Sequence, residues 1–206
     1  EMYIMKEKNY EIDMCHGPLL GKILVFTIPL MLSGILQLLF NAMDMIVVGQ
    51  YSGSDSLGAV GATASLINLL VNSFLGLSVG ANVLVAHYYG AGLKKDLDET
   101  IHTAMLLSVV GGIVVGAIGF TFCEPILTLM KTPSDILPLS VTYMKIYFIG
   151  VPALLVYNFG SSILRAIGDT KRPLYFLSIS GVVNIGLNLL FVIKFHQGVA
   201  GVAYAT

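Results

Sequence analysis

The feature that most restricts what this chain can fold into is a succession of apolar stretches, each long enough to cross a hydrocarbon layer of roughly 30 Å. They run approximately from Ile23 to Val48, Leu57 to Val85, Ile101 to Phe122, Ile136 to Leu164 and Pro173 to Ile193, and a sixth opens near Val199 and reaches Thr206. Each is read as a helix, because open sheet edges are not tolerated in lipid and the alternating pattern of a membrane barrel is absent. Composition agrees: 56% of the 206 residues are hydrophobic and 11% charged, and the mean hydropathy is +0.84, well beyond an ordinary soluble domain. The expectation is an all-α integral membrane chain. Because it starts with Glu1 and stops as a new apolar run opens, it is also expected to be a piece of a longer protein.

Several function classes fall away. The net charge of -1 and a pI near 6.5 give no basic field for nucleic acid. Cys15 and Cys123 stand apart from any CxxC or Cys/His spacing, and His16, His87, His102 and His196 are scattered near segment ends, so neither a disulfide nor a metal centre is indicated. No GxxxxGK[ST] loop occurs, so uphill work would draw on an ion gradient and not on ATP. No nucleophile, base and orienting group converge, so an enzyme is not expected, and no cofactor is. Glu1 to Gly17 lacks the charged start and short apolar run of a secretory signal, and is read as a cytoplasmic segment preceding a transmembrane lobe over 18–206.

Orientation follows from lysine and arginine, which favour cytoplasmic loops. With the N-terminus inside, that side carries Lys6, Lys8, Lys22, Lys94, Lys95, Arg165, Lys171 and Arg172, against Lys131, Lys145 and Lys194 outside. The connecting loops are expected at "GQYSGSD" from Gly49, "YYGAGLKKD" from Tyr88, "CEPILTLMKTPSD" from Cys123, "RAIGDTKRP" from Arg165 and "KFHQG" from Lys194.

Polar residues inside the spans carry the functional signal. On the first, Ser33, Gln37, Asn41 and Asp44 are spaced by four, four and three, which stacks them on one helical face. An ionised Asp at a span centre costs about 2.5–3.5 kcal/mol on insertion scales, so it must be neutral, paired or facing water. Asp44 lies five residues before Gly49, roughly 7 Å from the expected helix end. It is either a cap near the outer interface or part of a face lining a cavity, and a stripe several turns long favours the second. Ser180, Asn184 and Asn188 share a face of the fifth span, as do Ser65, Asn68 and Asn72 on the second. Such amides are either interhelical contacts worth about 0.6 kcal/mol each or, with Asp44, oxygens for a bound Na+ and hydrogen bonds that tune the carboxyl. Gly112 with Gly116, and Gly76 with Gly80, read as close helix contacts; Pro29 and Pro152 read as kinks; Tyr143, Tyr147 and Tyr157 read mainly as interface anchors.

These residues carry a family resemblance. "IPLMLSGILQLLFNAMDMIVVG", "SVGANVLVAHYYGAG" and "LRAIGDTKRP" followed by "NIGLN", in this order and spacing, resemble the multidrug and toxic compound extrusion (MATE) transporters over nearly the whole chain from Gly17. The resemblance implies twelve helices in two six-helix lobes around a central cavity, with this chain as the N-terminal lobe: five complete spans, the start of a sixth, and a C-terminal lobe as partner. It implies export of cationic or lipophilic drug-like compounds across the cell (plasma or inner) membrane in exchange for Na+ or H+. Asp44 matches the first-helix aspartate that binds the coupling cation, Gln37 a glutamine further along that face, Asn184 and Asn188 the fifth-helix pair, and Thr206 a sixth-helix threonine of the same site. Tyr143 and Asn158 match polar fourth-helix positions, and Asn41, Asn68 and Asn72 are candidate cavity support. Some members carry an aspartate where this chain has Asn188, so Asp44 is left as the only acid within a span, which argues against a two-carboxylate relay and for Na+ held by Asp44, Asn184 and Asn188. A flippase for lipid-linked precursors, which would need basic residues deep in its cavity, and a non-transporting receptor or scaffold are the rival readings.

Overall fold

The structure is a computed structural model that describes residue 12 and residues 19–206. Apart from Ile12, the expected cytoplasmic segment lies outside the described residues, with Lys6, Lys8, Cys15 and His16. The described residues form α1 (Leu19–Tyr51), α2 (Gly53–Gly90), α3 (Lys94–Leu129), α4 (Leu137–Ala166), α5 (Lys171–Asn188) and α6 (Gly198–Ala205); α5 continues directly into a π-helical segment, Leu189–Lys194. Five of these elements are long and apolar enough to cross a membrane, and α6 is a short helix of 8 residues.

The loops are shorter than the sequence reading expects. Ser52 alone separates α1 from α2, three residues separate α2 from α3, and α3 continues through Cys123, Glu124 and Pro125 to Leu129. A helix satisfies its own backbone, so the ladder persists past the last apolar residue until a left-handed residue breaks it. Gly53 at φ 83° and Gly92 at φ 71° do this at the first two turns. "LRAIGDTKRP" is a turn of the same kind: Gly168 sits at φ 90°, and buried Asp169 accepts the backbone N–H groups of Lys171 and Arg172 at 3.1 Å each while pairing with Arg172 Nε at 3.1 Å. One carboxylate thus starts α5 by satisfying orphan donors of its first turn.

The densest contact is between α3 and α4. The buried face of α3 reads Ala104, Ser108, Gly112, Gly116, Gly119, Cys123 and Leu127. A Cβ at Gly112 would lie 2.6 Å from Pro152 Cα, one at Gly116 2.8 Å from the Phe148 carbonyl oxygen, and one at Gly119 2.1 Å from the Phe148 ring. Absent side chains let the two backbones touch, which is how helices associate where burial from water supplies no drive. Gly76 and Gly80 behave otherwise: a Cβ at either meets nothing within 4 Å, so the expected second close contact does not form. α2 is tied to α4 by polar links instead, Asn82 Nδ2 donating to the Ser162 carbonyl at 2.7 Å and Ser162 Oγ to the Ser78 carbonyl at 3.0 Å.

Two expectations about α4 are corrected. Lys145, counted with the outer charges although it falls within the fourth span, lies eight residues into α4, about 12 Å from its start, with Nζ 5.8 Å from the centroid of the Phe120 ring. Its aliphatic stem and the ring's electron-rich face make that depth tolerable. Tyr143 is not an interface anchor: it is buried among Val47, Val48, Ala59, Val192 and Val202 and stacks on Tyr147 with ring centroids 6.3 Å apart.

Candidate functional site

α1 meets α5 through a notch. Gly181 is buried, and a Cβ there would fall 1.9 Å from the Phe40 ring, so the ring occupies the space a side chain would take. One turn beyond Phe40, α1 presents Asp44; one and two turns beyond Gly181, α5 presents Asn184 and Asn188. The notch therefore sets the register in which carboxylate and amides meet.

Asn188 Nδ2 donates to Asp44 Oδ1 in a short contact and lies 3.2 Å from Asn184 Oδ1. Asn184 Nδ2 donates to the Ala205 carbonyl at 3.1 Å. A single polar chain thus links α1, α5 and the end of α6. Asn188 is 1% exposed, and its carbonyl oxygen has no hydrogen-bond partner. A buried acceptor left unpaired costs about 1–3 kcal/mol, and here it stands beside a carboxylate. The site is rich in oxygen and poor in donors, the composition that suits a small cation or a proton. Immediately after Asn188 the backbone changes to π-helix, a local widening frequent at functional positions.

The other candidates separate from this centre. At about 100° per residue, Asp44 lies roughly 20° around α1 from Ser33, and Asn41 roughly 80°. Accordingly Ser33 is buried, Asp44 half-buried, and Gln37 and Asn41 exposed. Gln37 lies seven residues from Asp44, about 10 Å along the axis. Asp44 itself sits seven residues before the end of α1 at Tyr51, about 10 Å inside it and deeper than the sequence reading placed it; that depth and its amide partner rule out a cap. Asn68 and Asn72 are exposed on α2 and do not reach Asp44. Tyr143 packs in the cluster holding Val47 and Val48, one turn beyond Asp44, whereas half-buried Asn158 is fifteen residues along α4, about 22 Å away, so the two do not share a site. The Thr206 hydroxyl donates to the Val202 carbonyl of its own helix at 3.0 Å; α6 reaches the polar chain through the Ala205 carbonyl. Sequence reasoning missed that carbonyl, which no side-chain pattern announces, and it missed Gly181, although its spacing of three and seven to Asn184 and Asn188 puts it on their face.

Comparisons with known proteins converge. The family model described as MatE matches residues 29–190. The chain is 35% identical over 194 residues to the probable multidrug resistance protein YpnP of Bacillus subtilis (strain 168), covering 94% of this chain and 44% of that relative. It is 33% identical over 186 residues to the probable multidrug resistance protein YoeA of the same organism, covering 88% and 40%. Its backbone is similar to the outward-facing conformation of a multidrug resistance MATE family transporter of the MOP superfamily, with a TM-score of 0.85 and 28% identity over 90% of this chain and 41% of that one. The chain thus spans less than half the length of the relatives it matches. On the matched family model, the identity to these relatives and the shared six-helix arrangement, the chain belongs to the MatE family of multidrug and toxic compound extrusion transporters, and forms the N-terminal lobe of that fold.

Proposed function

We propose that the protein to which this lobe belongs is a secondary active antiporter of the cell membrane, N-terminus cytoplasmic, that exports cationic or lipophilic compounds in exchange for Na+ or H+. The observation that carries the reading is the half-buried Asp44 carboxylate, held by Asn188, beside the unpartnered Asn188 carbonyl oxygen. Open to the outside, the site attracts a cation. Neutralised, it no longer resists withdrawal from water, so loading permits the rearrangement that resets the cavity. The amide-rich surroundings of a single acid favour Na+.

One inward cation moving through 100 mV releases about 2.3 kcal/mol, which sustains roughly a 50-fold gradient of a neutral substrate. Exchange of one ion for one monovalent cationic compound cancels the voltage contribution and leaves the chemical gradient as the drive. Six cations of the described residues (Lys22, Lys94, Lys95, Arg165, Lys171 and Arg172) lie at one end of the bundle, and Lys131 and Lys194 at the other, which supports the orientation. The substrate cavity and its specificity belong jointly to this lobe and a C-terminal one, as the 35%-identical relative named a multidrug resistance protein suggests.

The test is efflux from proteoliposomes of the full-length protein under separately imposed Na+ and pH gradients. Wild-type efflux should follow one of them, and the Asp44→Asn protein should follow neither; undiminished ion-driven efflux by that variant ends the proposal.

A further inference from the structure

A cavity of about 460 Å³ opens between the C-terminal half of α2 and the N-terminal half of α3. Its walls are Leu77 and Leu84 on one side and Leu107 on the other, with Phe159 of α4 as the floor. Its mouth is acidic, with Asp96 and Glu99 in the lining and no Lys, Arg or His among the lining residues. Asp44 and its amides lie on other elements, so this is a separate feature.

The chemistry of the mouth is specific. Thr100 and Thr103 also line the cavity, and each donates its hydroxyl proton to a carbonyl of its own helix, those of Asp96 and Glu99, at 2.7 Å. They therefore offer only lone pairs. Two carboxylates and two such oxygens make a cluster of acceptors suited to a group with several N–H donors, a primary ammonium. Just outside stand Lys94 and Lys95, the latter 3.9 Å from Glu99 in an exposed pair that holds weakly. A bare cation is attracted by the carboxylates and opposed by the lysines, whereas a headgroup with an ammonium and a phosphate meets both signs. Depth agrees: the apolar stretch of α3 begins at Ile101, so Asp96 and Glu99 lie within about one and a half turns outside it, at headgroup level, and the leucine walls run inward from there.

We infer that the α2–α3 groove binds a membrane phospholipid bearing a primary ammonium, with the ammonium on Asp96 and Glu99, the phosphate toward Lys94 and Lys95, and an acyl chain between Leu77, Leu84 and Leu107 over Phe159. Gly80 supplies the room: it lines the groove, and a Cβ there meets nothing within 4 Å.

The experiment is native mass spectrometry of the full-length protein, delipidated and then titrated with phosphatidylethanolamine, or with phosphatidylcholine of the same chains, whose quaternary ammonium has no N–H. Phosphatidylethanolamine should be retained at least about tenfold better, the difference of about one charge-assisted hydrogen bond. D96N/E99Q should erase the preference, and Gly80→Leu, which extends a side chain into the groove from a position where a Cβ meets nothing within 4 Å, should lower retention of both lipids at an unchanged thermal midpoint. Equal retention of the two lipids, a preference that survives D96N/E99Q, or full retention by Gly80→Leu would overturn the inference. Displacement of the phospholipid by equimolar dodecylamine would also overturn it, reassigning the groove to a free amphiphilic amine.

Discussion

Two helix pairs in this lobe are held together in opposite ways. α3 and α4 meet backbone to backbone, with Gly112, Gly116 and Gly119 against Pro152 and Phe148. α1 and α5 meet around the seat of Phe40 at Gly181 and through the contact of Asp44 with Asn188. A third of the most apolar window of α4 is buried, 33%, against 11% for α1. Interfaces made of close backbone contact lose dispersion energy everywhere if either helix shifts, so α3–α4 is a fixed wall. The α1–α5 interface includes a charge-assisted contact at Asp44, and neutralising that charge would change its strength. The candidate ion site sits on the pair joined through a charge, away from the backbone contact of α3 with α4.

The contrast can be broken at the wall first. Gly119→Leu would drive a side chain into the Phe148 ring; overpacking of this kind costs about 3 kcal/mol or more, read as loss of the folded fraction that survives heating in detergent. The α1–α5 pair should respond in function and not in stability. Asp44→Asn keeps an oxygen that accepts from Asn188 and removes only the charge, so ion-driven efflux should fall at least about tenfold with the thermal midpoint close to that of the wild type. Asn188→Ala removes one amide contact of about 0.6–1.7 kcal/mol, and ion affinity measured by the Na+ or pH dependence of efflux should drop about threefold to twentyfold. Asn82→Ala, on the rigid side, should cost about 1 kcal/mol of stability and leave ion dependence untouched. Smallest of all, Gln37→Ala and Asn41→Ala alter exposed positions and should change ion affinity by less than about twofold; a larger effect would mean that the second lobe brings these residues into the site.

The fold was legible because hydropathy reports the solvent a helix faces, and the spans follow it directly. Their ends were less so: Cys123 to Leu129 reads as a loop by composition, yet hydrogen-bonded continuity extends α3 across it. Asp44 stood out because a carboxylate in an apolar run demands an explanation, and its link to Asn188 follows from two polar faces that need each other. Spacing alone placed Gln37 and Asn41 with Asp44, but Asn41 is rotated about 60° away from Asp44 and Gln37, on the same face, lies about two turns along the axis, so neither enters the contact. Gly76 and Gly80 have the same spacing as Gly112 and Gly116; only the presence of a facing helix separates a contact from an opening. Lys145 was assigned outward by charge, although Phe120, on a different helix, is what accommodates it. The π-helical turn after Asn188 has no sequence signature.

The seat of Phe40 at Gly181 also restricts how this lobe can diverge. A methyl at 181 would fall inside the ring, so enlargement there requires a smaller residue at 40 beforehand, and truncation at 40 leaves a hollow that only a larger residue at 181 refills. Any lineage passing from one arrangement to the other crosses an intermediate in which neither holds, and in which Asp44 and Asn188 are no longer aligned. An apolar pair thereby governs which sequence changes the alignment of Asp44 with Asn188 can survive, and the two positions are expected to drift together or not at all.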